Sequence, residues 1–215
     1  MMVGDVCGNG PDAAALGVEL RVAWRALTLA TVDDDAILPA MERVLRSERR
    51  GEDIFATLAM VTVWIDEKTV TVRLAGHPPP LLLAGGAVST IASRAGAVLG
   101  VFDDAQWPAV TSGLGSDWAL LLYTDGLIEG RLDGGTNIDA RDASGNPGDA
   151  AARLGVKGLR DLVRKADAAG VSRGRLPGWL HEQAQHRHGS ALEDDVAMLL
   201  LTGAAGETAD RDAAA

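Results

Sequence analysis

A chain of 215 residues, 47% of them hydrophobic, is long enough to bury one full core. Its formal net charge of −10 argues against nucleic acid or an anionic membrane as the main partner. The single cysteine, Cys7, excludes an internal disulfide and a thiolate zinc cluster, and no apolar run approaches the roughly 20 residues that cross a bilayer. Met1-Met2-Val3-Gly4-Asp5 shows no basic stretch leading into an apolar one, so no signal peptide is read and a soluble, cytoplasmic protein is expected.

Gly4-Asp5-Val6-Cys7-Gly8-Asn9-Gly10 reads as a Gly-rich bend before a helix. The helix follows from Pro11, which suits a first turn because its missing N–H costs nothing there. Ala15, Val18, Val22 and Leu29 recur near a 3.6-residue period, with Glu19, Arg21 and Arg25 as polar positions. Asp33-Asp34-Asp35 can cap a second helix that buries Ile37, Met41, Val44 and Leu45, with Pro39 in its first turn.

The period then changes. Phe55 to Ile65 reads as a buried strand, Asp66-Glu67-Lys68 as a turn, and Val70 to Leu74 as the next strand. Gly76-His77-Pro78-Pro79-Pro80 interrupts the pattern before Leu81 to Leu83, and Gly85-Gly86 makes a tight hairpin into Val88 to Ile91. A further apolar run, Trp118 to Tyr123, ends at Thr124-Asp125-Gly126. Arg131 to Asp149 is full of Gly, Asp and Asn and is expected to be a long loop. Two helices follow, one on Val156, Leu159, Leu162 and Val163 and one around Trp179 and Leu180, before a last strand from Val196 to Leu201. Helices and strands come in blocks and hairpins, not as βαβ alternation, so the sheet is expected to be mostly antiparallel. Residues 1–202 form one domain on this reading, and 203–215 a frayed, disordered tail.

Three acidic motifs stand at strand ends: Asp5, Asp125, and the pair Asp194-Asp195 before the final strand. Carboxylates at strand ends can converge at one edge of a sandwich, and neighbouring glycines let backbone approach a ligand. Clustered carboxylates repel unless a cation neutralises them, and Mg²⁺ or Mn²⁺ suits such oxygen ligands. Each motif alone is more often an ordinary turn. Their combination carries the reading.

In order along the chain, Gly4-Asp5-Val6-Cys7-Gly8-Asn9-Gly10, Ala75-Gly76-His77-Pro78-Pro79-Pro80, Tyr123-Thr124-Asp125-Gly126 and Asp194-Asp195-Val196-Ala197 resemble the motifs of SpoIIE-type phosphatases. These are the bacterial branch of the PPM family of metal-dependent protein phosphatases. Phe55-Ala56-Thr57-Leu58 and Gly96-Ala97-Val98-Leu99-Gly100 look like the same branch, so the resemblance covers Gly4 to about Leu201. It implies an α+β fold, an αββα sandwich of two mostly antiparallel sheets flanked by helices, with two Mn²⁺ or Mg²⁺ ions at one end. By position, Asp5 would bridge the ions, Val6 would lend its carbonyl, and Asp125 and Asp194 would be further ligands. Gly126 would let the chain pass close by, and Asp195 would orient a ligand or water. The implied reaction is attack of a metal-activated water on a phosphoserine or phosphothreonine. The implied partner is a phosphorylated protein, a STAS-type anti-sigma factor antagonist in a partner-switching pathway. The helices at Pro11 to Ala30 and Ile37 to Leu45 would be regulatory, facing a sensor domain or dimer partner.

The family also carries a metal-binding Asp on a strand upstream of Gly4-Asp5-Val6, where this chain has only Met1, Met2 and Val3. That Asp and one or two N-terminal strands are therefore expected to be missing. The rival reading is a non-catalytic module that binds a phosphoprotein or other partner through an incomplete metal centre.

Other signals are weaker. Gly8-Asn9-Gly10-Pro11-Asp12-Ala13 fits a dinucleotide fingerprint, but no preceding strand is read. Cys7 lacks the nearby Arg of a cysteine phosphatase and reads as a small buried residue. His181, His186 and His188 lack the i, i+4 spacing of a metal-binding helix face. His77 reads as structural, and the five scattered tryptophans as core.

Overall fold

The computed structural model describes residues 1–8, 10–91, 96–129, 131–136, 151–188 and 195–203. One four-stranded sheet contains β1 (Met2–Val6), β2 (Ala56–Trp64), β3 (Thr69–Ala75) and β6 (Val110–Gly113), in that spatial order. The other runs β10 (Met198–Gly203), β7 (Trp118–Tyr123), β4 (Leu81–Ala84) and β5 (Ala87–Thr90). Every pairing in both is antiparallel. Helices α1 (Pro11–Leu29) and α2 (Asp34–Glu48) cover the first sheet. The short α3 (Gly126–Glu129) follows β7, and α4 (Gly155–Ala168) and α5 (Leu176–His188) cover the second sheet.

Alternation along the strands builds three apolar layers. Ala59, Val61, Val72 and Leu74 of the first sheet meet Leu82, Leu120 and Leu122 of the second between the sheets. Ala56, Leu58 and Met60 face the other way and pack on Leu16, Leu20, Ile37, Met41 and Leu45 of the helices. Leu81, Leu121 and Tyr123 likewise pack on Leu159, Leu162, Val163 and Leu180. The expected αββα sandwich is the fold found.

Turn chemistry matches its sequence signals. Gly85 and Gly86 both take positive φ, 56° and 74°, as a two-residue hairpin with the right twist requires. Asp33 caps α2, its side chain accepting from the Asp35 N–H at 2.9 Å.

Several details differ from the expectation. The stretch read as a bend is strand β1 through Val6, paired in register with β2. Helix α1 buries Leu16 and Leu20, while Val18, Val22 and Leu29 are exposed. Both stripes share one helical period, and periodicity alone does not say which faces inward. Helix α2 starts at Asp34, so Pro39 lies beyond the first turn, with no N–H to offer the carbonyl four residues back. Strand β6, the edge strand beside β3, gives no strong apolar signal because Val110 is its only apolar residue and none of its residues is fully buried. Residues 131–136 of the expected loop form β8 (Arg131–Thr136), paired with β9 (Ala151–Arg153), and 137–150 lie outside the described residues. There a pairing partner, not local composition, decides the outcome. Strand β10 begins two residues later than expected and ends at Gly203, one past the expected domain end. Cys7 is half-buried and free, and Trp64 is 46% exposed. Among the described residues, no helix is long and apolar enough to cross a membrane.

Candidate functional site

Strand β1 brings Asp5 to the end of the sandwich. Cys7 N–H donates to the Phe55 carbonyl at 2.9 Å, and Val61 N–H donates to the Met1 carbonyl at 2.8 Å. Antiparallel bonding alternates, so odd-numbered residues of β1 bond to β2. The backbone groups of Met2, Gly4 and Val6 therefore point the other way, off the edge where β1 ends the sheet. The Val6 carbonyl is thus aimed away from the ladder, as a ligand would need. Met1 and Val3 pack between the sheets, while Met2 and Val6 pack on the helix side. By the same alternation Asp5 belongs to the inter-sheet face, where it is half-buried opposite Thr57. A groove of about 280 Å³ runs along this edge, lined among others by Asp5, Val6, Leu20, Arg21, Thr57 and Ala197.

Asp125 is delivered by the other sheet. It is half-buried directly after β7 and Thr124, and its carbonyl accepts from Ile128 at 2.7 Å and Glu129 at 2.8 Å as α3 begins. Gly126, buried, is the first residue of that helix. Thr124 is only 4% exposed, and it staples the approach to β10 alongside. Its hydroxyl donates to the Asp195 carbonyl at 3.1 Å and accepts from Ala197 N–H at 2.9 Å, and its N–H donates to the Ala197 carbonyl at 3.0 Å.

The two halves meet through His77, in the link that carries the chain from β3 in one sheet to β4 in the other. Its ring is 3% exposed, with Nδ1 2.9 Å from Thr57 Oγ1 and Nε2 3.1 Å from the Tyr123 carbonyl. Burial pushes its pKa below the ordinary imidazole value, against the opposing pull of the Tyr123 carbonyl and the Asp125 charge. Burial pushes the Tyr123 phenol well above its ordinary value, and its hydroxyl donates to the Pro79 carbonyl at 3.0 Å.

Of the residues expected at the site, Asp5, Val6, Asp125 and Gly126 come to the same end of the two sheets. Asp195 is exposed beside them, and Asp194 lies outside the described residues. Among the described residues, no group of three or more His, Cys, Asp or Glu side chains is gathered closely enough to hold a metal ion. The donors that are placed, two carboxylates and an edge-facing carbonyl, are hard oxygens and fit Mg²⁺ or Mn²⁺. His181, His186 and His188 all fall on α5, and His181 and His186 belong to no such group among the described residues. The dinucleotide reading fails for a different reason than expected: a strand does precede Gly8, but α1 and α2 lead to an antiparallel β2 and no βαβ unit forms.

Thr57, Thr124 and Tyr123 fall inside motifs that the sequence singles out, but the sequence assigns no role to the two hydroxyls or the Tyr123 carbonyl. Only Gly-His-Pro-Pro, an interruption between two strands, hinted at a built junction.

Two antiparallel sheets between helical layers form the fold found in PP2C-type phosphatase domains. The SiaA-PP2C domain of Pseudomonas aeruginosa is similar at TM-score 0.70 and 19% identity, over 93% of this chain and 74% of that one. The PP2C phosphatase domain of SpoIIE from Bacillus subtilis, solved with a fragment of its regulatory domain, is similar at TM-score 0.68 and 17% identity, over 93% and 53%. The RsbU and RsbW domains of Rv1364c from Mycobacterium tuberculosis match at TM-score 0.71 and 25% identity, over 93% of this chain and 51% of that one. The chain thus spans about half the length of that mycobacterial structure. It belongs to the stage II sporulation protein E (SpoIIE) family, whose family model matches residues 1–203.

Proposed function

We propose that this chain is a Mn²⁺- or Mg²⁺-dependent protein serine/threonine phosphatase, with residues 1–203 as its domain. The observation that carries the reading is the junction of two sheets that sets Asp5 and Asp125 at one end of the sandwich. Asp5, the Val6 carbonyl, Asp125 and Asp194 would hold the ions, with Gly126 giving room and Asp195 orienting the group beside it. Such ions supply an acidified water and neutralise charge on a phosphoryl group. The chain's own part would be to bring carboxylates that otherwise repel to one end of the sandwich, with Asp5 lining an open groove. No side-chain nucleophile is required, so Cys7 stays outside the chemistry.

The substrate we propose is a phosphoserine or phosphothreonine on a small STAS-type anti-sigma factor antagonist, within a partner-switching pathway that governs a sigma factor. Support comes from family membership and from the mycobacterial neighbour, which carries an RsbU domain together with an RsbW domain. Helices α1 and α2 would be the regulatory elements, where a sensor domain or second subunit docks.

Hydrolysis of p-nitrophenyl phosphate with added Mn²⁺ tests the reading. Asp125→Ala is expected to lower turnover on the order of 10²-fold or more, the scale of losing one main electrostatic group. Unchanged turnover in that variant sinks the assignment, and Mn²⁺ binding without turnover in the unaltered chain favours the binding module instead.

A further inference from the structure

The His77 ring has no part in the chemistry proposed above, yet its two nitrogens reach two different sheets. A carbonyl oxygen can only accept, so the Nε2 that faces Tyr123 must carry a proton. Burial disfavours the charged ring, and in a neutral ring with Nε2 protonated Nδ1 is bare, so the Thr57 hydroxyl donates to it. The bonds therefore run one way, from Thr57 O–H to Nδ1 and from Nε2–H to the Tyr123 carbonyl. At one end Thr57 is the cross-strand partner of Asp5. At the other, Tyr123 stands two residues before Asp125 and closes β7.

The ring is also held from behind. Gly76 N–H donates to the Gly96 carbonyl at 2.9 Å, and Gly76 takes a φ of 64° where a Cβ would come within 2.2 Å of Val98 Cγ1. On the other side Pro78, Pro79 and Pro80 each have a fixed φ, and Pro79 is pinned by the Tyr123 hydroxyl. Swinging the imidazole away would break both of its bonds, to β2 and to β7.

We infer that His77 is a positioning residue: one imidazole, locked in its Nε2–H tautomer between Thr57 and the Tyr123 carbonyl, fixes the spacing of Asp5 and Asp125 so that both address the same divalent ions. This rests on the phosphatase reading for the ions, but not for the bridge itself. A histidine that merely fills space would leave metal affinity indifferent to the Thr57 hydroxyl.

The test uses the full chain, with Mn²⁺ titrated by calorimetry and the imidazole nitrogens followed by ¹⁵N NMR. Thr57→Val keeps the side-chain shape and deletes the donor. It is expected to weaken Mn²⁺ binding on the order of 10-fold, the scale for supporting groups around a metal site. The Nδ1 signal should shift toward that of an unbonded acceptor, and Thr57→Ser should restore both. Wild-type Mn²⁺ affinity in a folded Thr57→Val protein, or an Nδ1–H tautomer in the unaltered chain, overturns the inference while leaving the phosphatase reading intact. If the unaltered chain neither binds Mn²⁺ nor hydrolyses p-nitrophenyl phosphate, the phosphatase reading fails and so does the metal-positioning role. The ring signals then decide only whether the bridge exists.

Discussion

The two helical layers hold their sheets by different means. Under α4 and α5 the contact is mainly apolar: Leu159, Leu162, Val163, Ala166 and Leu180 are all essentially without solvent exposure against the second sheet, and polar bonds lie at its margin, from Arg164 to the Val88 carbonyl at 3.3 Å and from Arg173 to the Trp118 carbonyl at 3.0 Å. Under α2 an apolar patch of similar kind is supplemented by polar clamps. The buried Glu42 carboxylate accepts from Gly100 N–H at 2.7 Å and from Arg46 at 2.5 Å. Arg49 donates to the carbonyls of Ile54 and Gly100, at 3.0 and 2.8 Å. Near the start of α2, Asp34 accepts from Thr62 at 2.6 Å, and the buried Arg73 pairs with Asp35. Apolar burial is strong but indifferent to small sliding, whereas a hydrogen bond is directional. The layer next to β1 therefore has buried polar clamps that fix its register, whereas the far layer is held mainly by mass of contact, with its polar bonds at the margin. Helix α1, beside the site, has only a partly covered surface, with Val18, Val22 and Leu29 outside.

Three substitutions would sharpen or break that contrast. Leu162→Ala, in the mainly apolar layer, is expected to cost about 2–5 kcal/mol in denaturant unfolding, since a cavity adds to the lost burial. A cost below about 1 kcal/mol would mean that the layer can collapse around the gap. Glu42→Ala should cost about 1–3 kcal/mol, because Gly100 N–H is left buried without its acceptor. Hydrogen exchange at Gly100 should rise more there than in Leu162→Ala, and equal exchange would contradict the clamp. Val22→Ser, on the exposed stripe of α1, should change stability by no more than about 0.5 kcal/mol in the isolated chain. A larger loss that grows with protein concentration would reveal that a second copy covers this stripe.

How much was legible beforehand depended on how local the cause was. The run Trp118 to Tyr123 is apolar throughout and became β7 with those bounds, and Gly85-Gly86 declared its hairpin. Strand β1 was hidden because Gly4 and Asp5 read as a bend, while its partner β2 lies about fifty residues on. Motif order singles out Asp5 and Asp125 as candidates, but not the groups that link their strands. Thr57 is 20 residues from His77 and Tyr123 is 46, so neither bond leaves a periodic trace. Likewise Thr124 meets Asp195 and Ala197 across more than seventy residues. Ligand-type residues announce themselves by chemistry, whereas their supports depend on tertiary placement.

The central claim is that the ends of these two sheets form one divalent-cation site. Calorimetric titration of the full chain with Mn²⁺, alongside Asp125→Ala at equal folded concentration, addresses it most directly. Saturable binding that is lost or strongly weakened in Asp125→Ala is the predicted result. Binding of equal strength in both proteins would place the cation elsewhere and contradict the account.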